Sequence, residues 1–279
     1  MVDPDTDTDN DSDALRVRTL FISDVHLGTT GCQATLLLEF MRRYDADTIY
    51  LVGDIVDGWR LRSNWYWPQA QNDVVQKLLR KVRKGARLIY IPGNHDEFLR
   101  DYLGVSFGSI EIAGRAIHRG ADGNDYLVLH GDEFDVVVAH ARWLAFLGDW
   151  AYEVALWSNG IVNRVRRRMG LPYWSLSAWA KLKVKNAVNY IGNFEAFLAS
   201  EAAQNSATGV ICGHIHHAAD RPIDGVRYMN CGDWVESCTA LVEDYDGTFR
   251  IIRFAEDLRR EANEPSAPQP QATPVSRAA

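Results

Sequence analysis

The sequence predicts an α/β fold in which β-sheets are flanked by helices. Short apolar runs rich in β-branched residues alternate with amphipathic helical patterns along much of the chain, as in strands joined by crossover helices. Near the C-terminus the pattern changes to short strands joined by Asp/Gly turns, of which Asp246-Gly247 is the clearest. With 279 residues, 47% of them hydrophobic, the chain can build one large core and a small additional unit.

The individual elements follow from these patterns in chain order. Buried strands are predicted at five apolar runs, Val17–Ile22, Thr48–Val52, Arg87–Ile91, Tyr126–Leu129 and Gly209–Cys212. Apolar residues at helical spacing predict helices at Leu36–Tyr44 and Val74–Val82. Further short β segments are predicted at Arg115–His118, Arg227–Asn230, Cys238–Val242 and Phe249–Phe254.

Both ends of the chain are predicted to be disordered tails, which leaves a folded domain at residues 15–258. Residues 1–14 are polar and rich in Asp, and residues 259–279 are rich in Pro and Ala. The formal net charge is −7, and it becomes −1 when the six Asp of residues 1–13 are left out. Because the body is almost neutral, its charge does not indicate a nucleic-acid partner.

The sequence shows no signal for secretion or membrane insertion, so we expect a cytoplasmic protein. The N-terminus lacks a basic region followed by an apolar stretch, and no apolar run reaches the roughly 18 residues of a transmembrane helix. The four cysteines form no C-x-x-C pair and are expected to be reduced, mostly buried thiols: Cys32, Cys212, Cys231 and Cys238.

Metal-ligand side chains follow the end of a predicted strand five times. The first three strands run into Ser23-Asp24-Val25-His26, Gly53-Asp54 and Gly93-Asn94-His95-Asp96. The next two run into His130-Gly131-Asp132 and Gly213-His214-Ile215-His216. Since open α/β sheets bind ligands at the carboxyl ends of their strands, we expect these side chains to meet.

This set of side chains predicts a centre that holds two divalent cations. In Asp24-x-His26 and His214-x-His216, a spacing of two in extended chain directs both side chains to the same side. Imidazole nitrogens mixed with carboxylates and one amide suit manganese, iron or zinc, and do not favour a thiolate zinc site. Seven candidate ligands exceed the needs of one ion, so we expect two ions that share a carboxylate.

The motifs D-x-H, G-D-x-x-D, G-N-H-D, H-G and G-H-x-H, in this order over residues 17–255, resemble the signature of the calcineurin-like metallophosphoesterases. The resemblance implies an αββα sandwich, with two mixed β-sheets flanked by helices. It implies that Asp24, His26 and His216 hold one metal and Asn94, His130 and His214 the other, with Asp54 as the bridge. It also implies that His95 faces the scissile phosphate and that Asp57 orients His95.

The implied reaction is two-metal phosphoester hydrolysis, in which His95 stabilises the transition state or protonates the leaving oxygen. Some of these residues also have a plainer interpretation. Asp57 is a suitable helix N-cap, and Asn94 is a common turn residue. Asp96 and Asp132 are expected to be structural, and His118, His140 and His217 lie outside the motifs.

Residues 135–200 interrupt the alternation and are predicted to form a helical insertion. Apolar residues recur at spacings of three and four from Trp143 to Ile161, and a second such stripe ends at Leu198. The insertion holds eight Lys/Arg, four Asp/Glu and five of the nine tryptophans. We predict a lid over the site for a substrate with an apolar part and an anionic headgroup, which also contacts a membrane surface. A helical hairpin with a solvated basic face is the alternative.

Within the superfamily, the layout resembles the UDP-2,3-diacylglucosamine hydrolase group. The shared features are S-D-x-H-L, G-D-x-x-x-x-W from Gly53 to Trp59, and the helical insertion. That group cleaves the pyrophosphate of a UDP-linked lipid to UMP and a diacylated sugar 1-phosphate, typically with manganese, as a peripheral membrane enzyme. The resemblance implies a lipid-linked or nucleotide phosphate substrate and contact with the inner-membrane surface. The chain departs from the group at His95, where well-characterised members tend to carry Arg.

Other functions on the same fold stay open at this point. A protein phosphatase resembles G-D-x-V-D-R-G, and this chain has Gly58 at the position of the Arg. A nuclease usually displays a broad basic surface, which the near-neutral body lacks. A non-catalytic scaffold usually loses metal ligands, and every expected ligand is present here. A metallophosphatase or phosphodiesterase that acts on another phospholipid, nucleotide or phosphoprotein is the main alternative.

Overall fold

Two β-sheets form the centre of the protein, and helices cover them on both outer sides. A computed structural model of the chain describes residues 14–134, 191 and 194–263. The larger sheet contains seven strands, β1 (Leu15–Ile22), β2 (Tyr44–Val52), β3 (Arg87–Ile91), β4 (Ser106–Phe107), β5 (Ile110–Ile112), β11 (Thr239–Glu243) and β12 (Phe249–Arg253). The smaller sheet contains β6 (Ala116–Arg119), β7 (Asp125–Val128), β8 (Gly209–Cys212), β9 (Ala219–Ile223) and β10 (Val226–Asn230).

Both sheets are mixed, with parallel strands at their centres. The larger sheet has the order β12-β11-β1-β2-β3-β5-β4, and β1, β2, β3 and β5 run parallel. The smaller sheet has the order β6-β7-β8-β10-β9, and β7, β8 and β10 run parallel. The carboxyl ends of β1, β2 and β3 therefore lie at one edge of the larger sheet, and those of β7 and β8 lie at one edge of the smaller sheet.

Five helices belong to the described residues: α1 (Ala34–Arg43), α2 (Gly58–Ser63), α3 (Gln69–Arg83), α4 (194–204) and α5 (Phe254–Asn263). Short 3₁₀ turns lie at Glu97–Tyr102 and Asp132–Phe134. None of the helices in the described part of the chain is both long and apolar enough to cross a membrane.

The core has three apolar layers, which follow from the alternation of side chains along the strands. In β1, Leu20 and Ile22 face α1, α3 and α5 on the outer side of the larger sheet. Phe21 points the other way, between the sheets, and stacks on Tyr50 with ring centroids 4.9 Å apart. On the outer side of the smaller sheet, Phe194 of α4 packs into the third layer. The predicted αββα sandwich is confirmed.

The predicted strands are all present, and two of them, β3 and β8, have the predicted bounds. Apart from the ten-residue helix α5, the elements that were not predicted are short or lie at the sheet edges. Strand β9 has the sequence ADRPI, whose Pro and exposed polar residues are tolerated only at an edge. Helix α2 has six residues, which is too short to show a helical period.

Helix α5 occupies the first five residues of the segment that we expected to be the C-terminal tail, 259–263. Phe254 is buried at its start, and Leu258 packs against the same apolar layer. Farther along, both carboxylate oxygens of Glu261 accept hydrogen bonds from Arg43 of α1 at 2.8–2.9 Å. These contacts hold the helix on the larger sheet although its composition is polar.

The predicted insertion at 135–200 also needs one correction. Its last residues belong to α4, whose Phe194 and Leu198 are buried against the smaller sheet together with Leu127 and Val210. This part of the expected lid is therefore a core helix of the sandwich. Residues 135–190, 192 and 193 lie outside the described residues, as do the tails at 1–13 and 264–279.

Glu243 at the end of β11 joins the two sheets. Its buried carboxylate accepts hydrogen bonds from Thr19 and Arg18 of β1 and from His118 of β6, at 2.6–2.9 Å. The backbone N–H of Ala121 donates to it as well, at 2.7 Å. Burial raises the pKa of Glu243, but His118 and the other donors outweigh it and lower that pKa from 4.5 to about 2.

This shift predicts an acid-sensitive contribution to stability. Because the folded pKa is the lower one, ionised Glu243 stabilises the fold above pH 4.5, and the contribution is lost as the pH falls towards 2. We expect Glu243→Gln to lower the free energy of unfolding by about 2 kcal/mol at pH 7. The difference between variant and wild type should shrink below pH 4.5. Urea unfolding of chelator-treated protein from pH 7 to pH 3 measures both effects.

Glu111→Gln is the matched control, because Glu111 forms only an exposed pair with Arg87. It should change the free energy of unfolding by less than about 1 kcal/mol. A constant difference between Glu243→Gln and wild type over this pH range would show that the ionisation of Glu243 does not stabilise the fold.

Candidate metal centre

The loops that follow β1, β2, β3, β7 and β8 converge on one point between the carboxyl ends of the two sheets. Backbone hydrogen bonds join them directly, since the N–H groups of Asp24 and His26 donate to the carbonyls of Gly53 and Asp54 at 3.0 and 2.9 Å. Across the sheets, the N–H of His214 donates to Asp24 Oδ2 at 2.8 Å. The structure thus places all the predicted loops around one centre.

Five of the predicted ligands have left-handed backbone conformations, with φ between 52° and 73°: Asp24, His26, Asp54, His214 and His216. Such conformations are costly for residues other than Gly and persist where surrounding contacts enforce them, often at functional sites. The assumption that the D-x-H and H-x-H pairs are extended is therefore wrong. The side chains of each pair reach the centre because both residues turn, and the contacts between loops hold those turns.

A first group of possible ligand atoms comes from Asp24, His26 and His216, and these atoms lie within 4.8 Å of one another. His216 Nε2 is 3.2 Å from Asp24 Oδ1, and the Nε2 atoms of His26 and His216 are 3.4 Å apart. Nitrogen and carboxylate oxygen atoms at these separations can surround a single divalent ion.

A second group comes from Asp54, His130 and His214, also within 4.8 Å. The carbonyl of Val52 lies 2.9 Å from His130 Nδ1 and fixes the ring, so that Nε2 points to Asp54 Oδ2 at 3.4 Å. Asp54 lies between the two groups, because its Oδ2 is also 3.9 Å from His26 Nε2. This is the position in which a carboxylate can be shared by two ions.

Unsatisfied polar atoms test whether a metal fits this centre. Asp24 Oδ1, Asn94 Oδ1 and His130 Nε2 are buried, and within the described residues none of them has a hydrogen bond of good geometry. Buried polar atoms normally have partners, so three orphans on three loops need an explanation. All three are predicted metal-donor atoms, and the mixed nitrogen and oxygen set suits a divalent ion.

The charges in the centre also favour a cation. Burial lowers the pKa of His130, but Asp54 and Asp24 outweigh it and raise that pKa to about 10. Burial raises the pKa of Asp54, and the neighbouring His130 and His95 outweigh it and hold that pKa below its ordinary value. The carboxylates of Asp54 and Asp24 thus favour positive charge beside His130, which a divalent cation can also supply.

Two glycines allow the loops to approach the ligands. A Cβ at Gly53, whose φ is +78°, would overlap the ring of His130. A Cβ at Gly93 would lie 2.6 Å from His130 Nε2 and would overlap the carboxylate of Asp54. The G-D and G-N elements of the motifs are therefore steric requirements of the centre.

His95 lies beside Asp54, and several contacts hold its ring in place. Its Nδ1 is 3.0 Å from Asp57 Oδ2, and its Nε2 is 3.9 Å from Asp54 Oδ2. The ring of Trp59 packs on it with centroids 4.3 Å apart, and the Trp59 indole N–H donates to Glu97 at 3.2 Å. His95, His26 and Asp54 also form a third group of possible ligand atoms.

Asp57 makes both of the contacts that the sequence left open, one with the start of α2 and one with His95. It caps α2, since its Oδ1 accepts a hydrogen bond from the Arg60 N–H at 2.8 Å. Its Oδ2 contacts His95 and lies 3.4 Å from His26 Nδ1. Burial raises the pKa of Asp57, but His26 and His95 outweigh it and hold that pKa well below its ordinary value.

Asp96 and Asp132 are structural, as expected. The buried carboxylate of Asp96 accepts hydrogen bonds from the N–H groups of Ile55 and Gly93 at 2.8 and 2.6 Å and from the hydroxyl of Tyr90 at 2.6 Å. It thereby ties the loop after β2 to the loop after β3. Asp132 pairs with Arg100 at 2.5 Å.

A cavity of 560 Å³ opens onto this centre. One part of its lining is formed by His26, Asp54, His95, His214 and His216, and a second part is formed by residues 28–31 and Val235. The third part comes from α2 and the turn after it, through Arg60, Ser63, Asn64 and Tyr66. The sequence motifs did not single out these four residues, and the only signal for them is that they follow Asp57 closely along the chain.

The three tryptophans that follow Asp57 along the chain, Trp59, Trp65 and Trp67, lie in two different surroundings. Trp59 contacts His95 at the centre, as described above. Trp65 is 73% exposed and packs beside Trp67 with ring centroids 6.2 Å apart, and Trp67 in turn contacts the core of the larger sheet. An exposed aromatic residue therefore stands close in sequence to the cavity residue Tyr66.

Known proteins resemble this chain over most of its length. The curated UDP-2,3-diacylglucosamine hydrolase of Porphyromonas gingivalis is 24% identical over 275 residues, which cover 88% of this chain and 100% of that protein. The protein of the same name from Chromohalobacter salexigens is 29% identical over 251 residues, or 86% and 99% of the two chains. A solved phosphoesterase from E. coli aligns over 85% of this chain and 98% of its own, with 15% identity and a TM-score of 0.41.

The family model of the calcineurin-like phosphoesterases matches residues 17–218. This span begins in β1 and ends after His216, so that it contains all five loops of the centre. Members of this family use divalent metal ions, in agreement with the donor groups found here. The chain therefore belongs to the calcineurin-like phosphoesterase family and is a phosphoester-hydrolysing enzyme.

Proposed function

We propose that this enzyme hydrolyses the pyrophosphate of UDP-2,3-diacylglucosamine, or of a related lipid-linked substrate, to UMP and 2,3-diacylglucosamine 1-phosphate. The observation that carries the proposal is the alignment with curated UDP-2,3-diacylglucosamine hydrolases along nearly their whole length. The matched span covers 88% of this chain and all of the Porphyromonas gingivalis protein, so the resemblance is not confined to motifs that the whole family shares.

In this proposal, Asp24, His26 and His216 hold one ion, and Asn94, His130 and His214 hold the other. Asp54 is shared, which its position between the two donor groups supports. When bound, two divalent ions lower the pKa of a water molecule and neutralise charge on the phosphoryl oxygens. The mixed donor set suits manganese, with iron or zinc as alternatives.

In the reaction, His95 donates a proton to the reacting phosphate or stabilises its negative charge, and Asp57 orients His95. Asp57 Oδ2 lies 3.0 Å from His95 Nδ1, and Nε2 of the same ring lies 3.9 Å from Asp54 Oδ2, so the ring presents Nε2 to the centre. From there, Nε2–H can donate to the leaving oxygen or to a phosphoryl oxygen as negative charge develops. Trp59 limits rotation of the ring and shields one of its faces from water.

The insertion at 135–200 is proposed to receive the acyl chains and to contact the cytoplasmic face of the inner membrane. Its sequence supports this, because basic residues and tryptophans are concentrated in amphipathic stripes. Its last residues anchor it, since α4 is buried on the smaller sheet directly before β8. The proposed lid is thus connected, through α4 and β8, to the loop that carries His214 and His216.

A substrate screen tests the proposed function. The manganese-loaded protein is incubated with UDP-2,3-diacylglucosamine, UDP-N-acetylglucosamine and a set of phospholipids and nucleotides, and products are identified by mass spectrometry. We expect UMP and the diacylated sugar 1-phosphate in equal amounts, with kcat/KM at least about tenfold higher than for the unacylated nucleotide sugar, because acyl burial adds binding energy.

A different outcome of this screen would contradict the proposed substrate. Hydrolysis of another phosphodiester or nucleotide with higher kcat/KM would transfer the function to that substrate class within the same family. Chelator-treated protein is the control, and it should be inactive until manganese is restored.

A further inference from the structure

Arg60 is the one Lys or Arg that lines the cavity among the residues that the structure describes. It lies in α2 and shares the cavity with the possible metal ligands His26, Asp54 and His216. The other charged side chains of this lining are the carboxylates Asp54 and Asp57, which are held close to histidines. A positive group in this wall faces a space in which a phosphate is to be bound.

The backbone of Arg60 is anchored to the candidate metal centre. Its N–H donates to Asp57 Oδ1 at 2.8 Å, while Oδ2 of the same carboxylate is 3.0 Å from His95 Nδ1. Its carbonyl accepts a hydrogen bond from Asn64 at 2.8 Å, which closes the short helix. One side chain, Asp57, therefore fixes the distance between the start of the arginine side chain and the reacting group His95.

The guanidinium of Arg60 has no ion pair and no side-chain hydrogen bond with any residue in the described ranges 14–134, 191 and 194–263. This differs from many other arginines of the chain, such as Arg18, Arg100 and Arg115, which pair with carboxylates at 2.5–2.9 Å. A guanidinium without a partner among the described residues, at the wall of a cavity in which the proposed function places a phosphate, can present its paired N–H donors to a second anion.

We propose that Arg60 is a specificity-determining residue that binds the phosphate next to the scissile one. The inference rests on the proposed function, because it assumes that the scissile phosphate lies at the metal centre. A substrate with two linked phosphates places the second one a few ångströms from the first, towards the wall formed by α2. Arg60 therefore selects pyrophosphate diesters over diesters with a single phosphate.

The test compares two inhibitors of bis(p-nitrophenyl) phosphate hydrolysis by the manganese-loaded enzyme at fixed free manganese. UDP-glucose carries two linked phosphates, and the methyl ester of UMP carries one. We expect Arg60→Gln to raise the inhibition constant of UDP-glucose about tenfold more than that of the methyl ester, since one charge-assisted contact is lost. Arg60→Lys, which keeps the charge but not the paired donors, should lie between wild type and Arg60→Gln.

Arg62→Gln is the matched control, because Arg62 lies in the same helix, is exposed, and does not line the cavity. It should leave both inhibition constants unchanged. Equal weakening of both inhibitors by Arg60→Gln would overturn the proposal, because the residue would then act on the site as a whole. No change with either inhibitor would overturn it as well.

Failure of the proposed function is distinguishable from failure of this inference. A wild-type enzyme that binds manganese but does not hydrolyse any phosphodiester would contradict the function. The two ligands can then be titrated calorimetrically against the manganese-loaded protein. In that case, the ratio of their dissociation constants in wild type and Arg60→Gln still decides whether Arg60 recognises the second phosphate.

Discussion

Asp54→Ala is expected to abolish activity and to reduce the bound manganese from two ions per chain to one or none. The physical reason is that Asp54 Oδ2 lies between both donor groups, 3.4 Å from His130 Nε2 and 3.9 Å from His26 Nε2. Without this carboxylate, each group loses its negative charge at the shared position, and kcat/KM should fall by at least about 10³-fold. Metal content by mass spectrometry and initial rates with an aryl phosphodiester measure the two effects.

Asp54→Asn and Asp132→Asn are the control variants for this experiment. Asp54→Asn keeps an oxygen that can accept the hydrogen bond of the His95 N–H, found at 2.8 Å, so it controls for collapse of the loop. Asp132→Asn removes a nearby charge that pairs with Arg100 and belongs to no donor group, so it should keep both metals. If Asp54→Ala retained two ions with wild-type affinity, Asp54 would not be the shared ligand.

The residues of this centre could be predicted from the sequence because each one directly follows a buried strand. Val52 and Leu129 are apolar and inaccessible, and the residues after them change at once to Gly53-Asp54 and His130-Gly131. Such a change marks the point where a strand reaches the edge of its sheet, and parallel strands bring these points together. Local sequence therefore indicates the ligands without information on long-range contacts.

The conformation of the ligands could not be predicted in the same way. His26 has a left-handed backbone because its N–H donates to the carbonyl of Asp54, which lies in a different loop. That hydrogen bond depends on the parallel pairing of β1 with β2, and no pattern within Asp24-x-His26 contains it. The premise of an extended pair was wrong for this reason, although the residues themselves converge.

The cavity residues that come from α2 and the turn after it could not be predicted from the sequence either. Arg60, Ser63 and Asn64 face the cavity because Asp57 caps a six-residue helix beside the centre. A helix of this length has less than two turns, so its residues show no period that separates a cavity face from a solvent face. Substrate-contacting residues on such segments become visible only when the surrounding loops are in place.

His95→Ala is expected to retain both metal ions and to lower kcat by about 10²–10⁴-fold. In the structure, the ring of His95 places Nε2 3.9 Å from Asp54 Oδ2, while Nδ1 lies 3.0 Å from Asp57 Oδ2. A side chain held in this way is suited to proton donation or charge stabilisation rather than to holding a metal. Loss of one ion in His95→Ala would instead assign His95 to the third donor group, with His26 and Asp54.

Leaving-group dependence separates the two roles that remain. If His95 protonates the leaving oxygen, the loss in His95→Ala should be at least about tenfold larger for an alkyl than for a p-nitrophenyl phosphodiester, since p-nitrophenolate leaves without a proton. If His95 stabilises charge on the phosphoryl oxygens, both substrates should lose equally. Asp57→Asn should show the same pattern with a smaller loss, because the ring stays but its orientation weakens.

His95→Arg completes the comparison, since Arg supplies a fixed positive charge but does not give up a proton near neutral pH. Charge stabilisation predicts that this variant recovers most of the rate lost in His95→Ala, for both leaving groups. Proton donation predicts that the rate with the alkyl substrate is not recovered. The Trp59 ring, whose centroid is 4.3 Å from that of His95, can also stack on a guanidinium at this position.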